Sequence, residues 1–265
     1  MKIETAFVND IEMPYFSFGT GERAFIILPG DSAKSITLSA RAIEAAYKQF
    51  GEKYTVYAFD RRRNMPAEYS IEEMADDTAV VMKHLGIKDA DIFGASQGGM
   101  IAMCIAISDP ELVHAMVLGS TTACGTPETE SAVGRWIELA QARDLTGLTG
   151  TFIDNLFSEN TLGKYRDILL HMNDDIGEDD IRRFIIQTKA LIGFDIRDRL
   201  VGISCPILVI GCKGDKLIPY QASLEIAALT GGESYLYGEE YGHCVFDEAP
   251  DYKERMLDFF EKHHS

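Results

Sequence analysis

A serine lies between glycines in the sequence Gly-Ala-Ser-Gln-Gly at residues 94–98. The run 90–93 before it is typical of a β-strand, and the run 100–106 after it is typical of a helix. A sharp strand-to-helix turn holds one side chain at its tip in a strained backbone conformation, and flanking glycines leave room for it. The first N–H groups of such a helix face any anion formed beside the serine. The motif therefore predicts that Ser96 is a nucleophile.

A serine hydroxyl needs a base to take its proton and a carboxylate to orient that base. His243 is the best candidate base, because it lies in a predicted loop between the last strand and the last helix. Asp215 is the best candidate carboxylate, since it closely follows the predicted strand 206–210. Asp247 is its main rival, although a place before the last helix favours an N-cap. The chain order Ser96, Asp215, His243 predicts a catalytic triad.

Serine attack on a carbonyl creates a negative charge that two N–H donors must stabilise. The backbone N–H of Gln97, directly after the nucleophile, is one expected donor. The loop 29–32 is expected to supply the other from Asp31, because Pro29 has no N–H. These two groups form the predicted oxyanion hole. A carboxylate at Asp31 would oppose the developing charge unless the side chain turns away.

Apolar strands alternate with amphipathic helices along most of the chain, which predicts a mostly parallel, twisted sheet with helices on both faces. Binding sites in such folds form beyond the carboxyl ends of the strands, where the candidate residues lie. The predicted strands are 2–8, 12–18, 24–28, 54–59, 90–93, 114–118, 206–210 and 233–236. The predicted helices outside the middle of the chain are 35–50, 70–85, 100–106, 219–229 and 247–262.

The middle of the chain breaks this alternation, because helical patterns occur there without strand-like runs. We interpret residues 1–121 and 203–265 as an α/β core, and residues 122–202 as an inserted helical lid. The predicted helices of the insertion are 130–143, 148–157, 161–172 and 178–191.

The composition limits the classes of partner. A formal net charge of −17 over 265 residues disfavours nucleic acid and anionic membranes. The five cysteines have no disulfide or zinc-site spacing, so we expect no metal and no cofactor. The N-terminus is unlike a signal peptide, and no apolar stretch reaches the ~18 residues that span a bilayer. We expect a cytoplasmic protein with a small-molecule substrate, either a monomer or a homodimer.

With these motifs the chain resembles lid-bearing proteins of the α/β-hydrolase fold, a group that includes esterases, enol-lactonases and carbon–carbon bond hydrolases. The resemblance covers nearly the whole chain and implies the triad, the oxyanion hole and a helical lid at the positions above. It rests on segments 28–30, 59–61, 74–77, 94–99, 206–211 with Asp215, and 242–243.

The sequence departs from this family at two loops. Pro29-Gly30 stands where the family usually has His-Gly, and Asp31 stands where it usually has an apolar residue. Three arginines at 61–63 replace the family's glycine-rich loop after Asp60. We expect these arginines to pair with nearby acids such as Glu68, Glu72 and Glu73.

Three functions follow from these residues. The preferred hypothesis is hydrolysis of a carboxylic ester or lactone through an acyl-enzyme on Ser96. A second hypothesis is carbon–carbon bond cleavage in a keto-acid, for which Arg135, beside Trp136 in the insertion, would bind the substrate carboxylate. A third is ligand binding without catalysis on the same scaffold, motivated by Asp31 and the basic loop.

Overall fold

The computed structural model describes residues 1–264. The strands are β1 (Lys2–Val8), β2 (Ile11–Phe18), β3 (Arg23–Leu28), β4 (Tyr54–Phe59), β5 (Ala90–Ala95), β6 (Val113–Gly119), β7 (Ile207–Cys212) and β8 (Glu233–Tyr237). They form one sheet in the order β1-β2-β4-β3-β5-β6-β7-β8. β2 is antiparallel to both of its neighbours, and all other neighbouring strands are parallel. The mostly parallel sheet predicted from the sequence is confirmed.

Helices cover both faces of the sheet, also as predicted. They are α1 (Ala40–Ala46), α2 (Ile71–His84), α3 (Gln97–Ser108), α4 (Pro127–Gln141), α5 (Leu145–Leu156), α6 (Glu159–Leu169), α7 (Glu178–Lys189), α8 (Tyr220–Thr230), α9 (Val245–Glu248) and α10 (Tyr252–His263). Successive side chains of β5 enter different cores: Ile92 packs in the core that contains Met82 of α2, and Phe93 in the core that contains Met256 of α10. A central strand that is buried on both faces is therefore mostly apolar, and Asp91 is the charged residue of β5.

Two predicted helices are interrupted. The segment 35–50 consists of the short helix α1 between two 3₁₀ turns, Ile36–Ser39 and Lys48–Phe50. The segment 247–262 is divided into α9 and α10, because Pro250 forces Ala249 into an extended conformation with ψ 124°. Both predictions of a continuous helix were wrong.

The insertion between β6 and β7 carries the four helices α4 to α7. An isolated antiparallel bridge between Cys124 and Asp195 joins its two ends. Inside it, Trp136 packs against Phe152 with ring centroids 4.7 Å apart, and Phe152 packs against Phe184 at 6.1 Å. The insertion thus has aromatic packing of its own. Within residues 1–264, no helix is long and apolar enough to cross a membrane.

Candidate active site

Ser96 lies at the turn between β5 and α3 with φ 51° and ψ −120°, a conformation that costs about 1–3 kcal/mol for a residue with a side chain. Two hydrogen bonds hold the turn. The Ser96 N–H donates to the Gly119 carbonyl at 2.8 Å, and the Thr121 hydroxyl donates to the Ser96 carbonyl at 2.7 Å. The strain therefore presents the serine side chain at the carboxyl edge of the sheet.

The glycines around Ser96 allow the close approach of backbone segments. A Cβ atom on Gly94 would lie 2.5 Å from the Gly98 carbonyl oxygen. A Cβ atom on Gly98 would lie 2.0 Å from the carbonyl oxygen of Leu28, which ends β3. Any side chain at either position would displace backbone, so the turn requires glycine at both.

His243 and Asp215 form a buried pair at the same edge. His243 Nδ1 lies 2.8 Å from Asp215 Oδ2, and the two side chains are 2% and 1% exposed. Asp215 Oδ1 accepts hydrogen bonds from the N–H groups of Leu217 and Ile218 at 2.8 and 2.9 Å. Because an ionised carboxylate only accepts, Nδ1 carries the proton and Nε2 of the neutral imidazole is left as the basic nitrogen.

His243 Nε2 is buried and has no hydrogen-bond partner among residues 1–264. Ser96 and His243 line one cavity and Asp215 is bonded to His243, but no hydrogen bond joins Ser96 to Nε2. Asp247, the rival carboxylate, pairs instead with Lys253 at 3.6 Å.

The loop of His243 is held by the insertion as well as by the core. The N–H of Cys244 donates to the Leu156 carbonyl at 2.9 Å, and the N–H of Gly242 donates to Glu248 Oε2 at 2.6 Å. Gly242 has no room for a side chain, since its Cβ would lie 2.6 Å from the Ser158 backbone nitrogen. Contacts with the insertion therefore help to set the position of the imidazole.

The two predicted oxyanion donors lie on either side of Ser96. Gln97 is the first residue of α3, where backbone N–H groups have no intrahelical acceptor. The loop that carries Asp31 approaches from β3, and a Cβ on Gly30 would lie 3.2 Å from Ser96 Cβ. Both segments therefore approach Ser96 closely, and their role as an oxyanion hole stays a prediction.

The Asp31 side chain is turned toward α7 of the insertion, where its Oδ2 accepts a hydrogen bond from the Thr188 hydroxyl at 2.6 Å. The residue as a whole is half-buried, but Oδ1 is inaccessible to solvent and has no partner in the described part of the chain. Burial raises the pKa of this carboxyl from 3.8 to about 7, although Thr188 and Arg61 both act in the opposite direction. Asp31 is thus a carboxyl group that changes charge near neutral pH.

Arg61, which was expected to pair with nearby acids, is 3% exposed and lines the cavity. Its Nη2 donates to the Pro29 carbonyl at 2.7 Å and to Gln97 Oε1 at 2.9 Å. The amide of Gln97 in turn donates to the Gln187 carbonyl of α7 at 2.8 Å. A buried polar network therefore joins the oxyanion loop, the start of α3 and the insertion.

The expected partners of the three arginines were wrong. Arg62 pairs with Asp10 at 2.9 Å and with Asp77 at 3.3 Å, and Arg63 pairs with Glu12 at 3.1 Å. These acids come from the β1–β2 hairpin and α2, which spacing along the chain does not reveal.

The cavity has a volume of about 760 Å³ and extends from Ser96 and His243 beneath the insertion. Trp136, predicted as a substrate contact, lines it together with other apolar residues of the insertion. These are Val133, Phe152, Leu156, Phe157, Met172 and Leu191.

Arg135 is not among the described residues that line the cavity, and its role as a substrate contact needs correction. Its side chain is 58% exposed and pairs with Glu138 at 3.2 Å. Neighbouring residues on a helix point about 100° apart, so the inward direction of Trp136 turns Arg135 outward.

A family model described as alpha/beta hydrolase fold matches residues 26–163. This chain belongs to the alpha/beta hydrolase fold family. Among curated relatives of this α/β-hydrolase, 3-oxoadipate enol-lactonase 2 of Acinetobacter baylyi is 25% identical over 212 residues, covering 78% of this chain and 77% of the relative. Serine hydrolase BPHL of Mus musculus is 26% identical over 271 residues, covering 96% of this chain and 84% of the relative.

A solved structure with the same fold is MGS-M2, an alpha/beta hydrolase enzyme from a Medee basin deep-sea metagenome library. It matches this α/β-hydrolase with a TM-score of 0.87 at 21% identity, over 97% of each chain. At that identity the match supports the fold, and the chemistry of this chain is argued from its own residues.

Proposed function

We propose that this α/β-hydrolase is a serine hydrolase that cleaves a carboxylic ester or lactone of a small molecule through an acyl-enzyme on Ser96. The observation that carries the proposal is the buried pair of His243 and Asp215, whose nearest side-chain atoms are 2.8 Å apart. His243 lines the same cavity as Ser96, and its Nε2 has no hydrogen-bond partner among residues 1–264. The printed names of the relatives, an enol-lactonase and a serine hydrolase, support the same reaction class.

In the proposed mechanism, His243 Nε2 takes the proton of Ser96 as the serine oxygen attacks the substrate carbonyl. Asp215 holds the imidazole in the productive tautomer and stabilises the imidazolium that forms. The N–H groups of Gln97 and Asp31 donate to the carbonyl oxygen as it becomes negative. The imidazolium then protonates the leaving alcohol, and the same nitrogen activates the water that releases the acid.

The cavity lining supports a substrate with a sizeable apolar part. Apolar side chains dominate the surface that the insertion contributes, and a volume of about 760 Å³ admits a molecule larger than a short acetate ester. The indole nitrogen of Trp136 is buried without a partner among residues 1–264. Because that nitrogen is inaccessible to solvent, Trp136 contributes apolar ring surface to the cavity.

The two alternatives have less support. Arg135 no longer supports the alternative of carbon–carbon bond cleavage, since its side chain is exposed and paired with Glu138. Arg61 is the guanidinium that lines the cavity, but its Nη2 is already bonded to Pro29 and Gln97. Ligand binding without catalysis is still motivated by the carboxyl of Asp31.

The test is a stopped-flow assay with p-nitrophenyl esters, followed by a panel of lactones and diketones of increasing size. Wild-type protein should release a burst of nitrophenol equal to the enzyme concentration, as an acyl-enzyme accumulates. Ser96→Ala should abolish turnover, and Asp215→Asn should lower kcat by up to ~10⁴-fold. Ser131→Ala is the matched control, because Ser131 is an exposed serine of α4 that does not line the cavity.

Full activity in Ser96→Ala would refute the serine mechanism. Turnover of diketones in preference to every ester and lactone would favour the carbon–carbon alternative. The cytoplasmic location, the lid role of residues 122–202 and the choice between monomer and homodimer stay predictions.

A further inference from the structure

The loop that carries Asp31 lies outside the helices and strands, between β3 and the 3₁₀ turn Ile36–Ser39. Within residues 1–264, the Asp31 N–H donates to no protein acceptor, so it is free to bind an oxyanion. A donor on a loop stabilises a developing charge only if neighbouring groups fix its position beforehand. The groups that hold this loop therefore bear on the proposed chemistry.

Helix α7 of the insertion holds the loop from one side. Gln187 Nε2 donates to the Ser32 carbonyl, and the Thr188 hydroxyl donates to Asp31 Oδ2 at 2.6 Å. The Gln187 carbonyl also accepts a hydrogen bond from the side-chain amide of Gln97 at 2.8 Å. Gln187 and Thr188 are 6% and 0% exposed, so these bonds are shielded from water. Two adjacent residues of one helix thus contact both residues that carry the proposed oxyanion donors.

Arg61 holds the same loop from the core. Its Nη2 donates to the Pro29 carbonyl at 2.7 Å. The carbonyls of Pro29 and Ser32 flank the peptide group that carries the Asp31 N–H, so the core fixes one flank and α7 fixes the other. A shift of the loop away from Ser96 would break hydrogen bonds on at least one of these flanks.

We propose that Gln187 and Thr188 are positioning residues, which hold the Asp31 N–H where it can stabilise the oxyanion. This inference rests on the proposed serine hydrolysis. It gives the insertion a part in the reaction as well as in lining the cavity. It also requires α7 to stay bonded to the loop during turnover, so any opening of the insertion would leave α7 in place.

The first test is Gln187→Met, which keeps the length and apolar bulk of the side chain but loses the donor to Ser32. Losing a whole oxyanion donor costs about 10²–10³ in kcat, so a donor that is retained but less well held should cost about tenfold. Because the lost interaction acts in the transition state, kcat and kcat/KM should fall equally. Binding of a trifluoromethyl ketone, which forms a tetrahedral adduct with Ser96, should weaken by the same factor.

Thr188 separates an effect on position from an effect on stability. Thr188→Val removes the hydroxyl that bonds to Asp31, and kcat should fall by about five- to tenfold. Thr188→Ser keeps the hydroxyl but removes a buried methyl group, so its Tm should fall by about 2–4 °C while kcat stays within about twofold of wild type. Hydrogen exchange of the segment 29–34 should become faster in Gln187→Met and Thr188→Val, but not in Thr188→Ser.

Gln141→Met is the matched control, because Gln141 is an exposed glutamine of α4 that does not line the cavity. It should keep the wild-type kcat and exchange rate. With an active wild type, unchanged kcat in Gln187→Met and Thr188→Val would overturn the inference. An equal loss of kcat in Thr188→Ser would do the same, since activity would then follow stability alone. A wild type that neither hydrolyses esters nor is labelled at Ser96 would refute the proposed function itself, and this inference with it.

Discussion

Replacing Asp31 with asparagine should stabilise the protein increasingly as the pH rises. The carboxyl is buried beside Thr188, and its pKa in the folded protein is about 7, against 3.8 ordinarily. Between these two values the folded state keeps a proton that the unfolded state has lost, so stability falls as pH rises through this window. Asparagine carries no charge at any pH, so the stability of the Asp31→Asn variant should not fall through this window.

The size of the effect follows from the two pKa values. At 1.36 kcal/mol per unit, wild-type Asp31 destabilises the fold by about 2 kcal/mol at pH 5.5 and about 4 kcal/mol at pH 8.5. The buried side-chain amide of the Asp31→Asn variant cannot make the same hydrogen bonds as the carboxyl that it replaces, which costs about 1–3 kcal/mol at every pH. The pH-dependent difference of about 2 kcal/mol between the two pH values is therefore the quantity to measure.

The assay is urea unfolding at pH 5.5, 7.0 and 8.5 at constant ionic strength. Asp175→Asn is the control, because Lys34 holds the pKa of that exposed carboxyl below its usual value. Asp175 is then ionised in both states throughout this range, so its variant should differ from wild type by a constant amount. Parallel pH profiles for Asp31→Asn and wild type would refute the assignment of Asp31 as a buried, protonated acid.

Two further predictions concern packing at the site. Gly98→Ala should destabilise the fold by more than about 3 kcal/mol in thermal unfolding, because the new Cβ would lie 2.0 Å from the Leu28 carbonyl oxygen. Gly134→Ala is the control: its Cβ would have no atom within 4 Å, and it should stabilise α4 by about 0.5–1 kcal/mol. Trp136→Phe keeps an aromatic ring in the cavity but removes part of its apolar surface, so kcat/KM should fall about 3- to 10-fold for substrates that pack against the indole. Arg135→Ala should leave kcat/KM unchanged, and equal losses in the two variants would contradict the orientation of α4.

Much of the core could be predicted because local sequence and tertiary burial agree there. The predicted strand 90–93 becomes the buried strand β5, and the pattern Ser-x-x-Glu at Ser70 becomes a complete capping box with Glu73 at the start of α2. The broken helices show where this agreement fails. Near Pro250 the hydrophobic pattern continues, but the backbone before a proline cannot stay helical.

The triad candidates could be found because each follows a strand or lies in a loop at one edge of a parallel sheet. The position of a residue after a strand did not predict which charged side chains surround the triad candidates. Arg61 and Asp31 are 30 residues apart, and what connects them is their shared burial with Thr188 and Gln97 beneath the insertion. Arg135 failed as a prediction because its direction depends on which face of α4 packs inward.

The most direct test of the central claim is the site of covalent labelling by a fluorophosphonate, read by intact mass and peptide mapping. Wild-type protein should gain one adduct per chain, and the adduct should map to Ser96. Labelling should slow sharply in His243→Ala, which lacks the base, while Ser131→Ala, outside the cavity, should label at the wild-type rate. Failure to label wild type, or an adduct at any other residue, would contradict the proposal that Ser96 is an activated nucleophile.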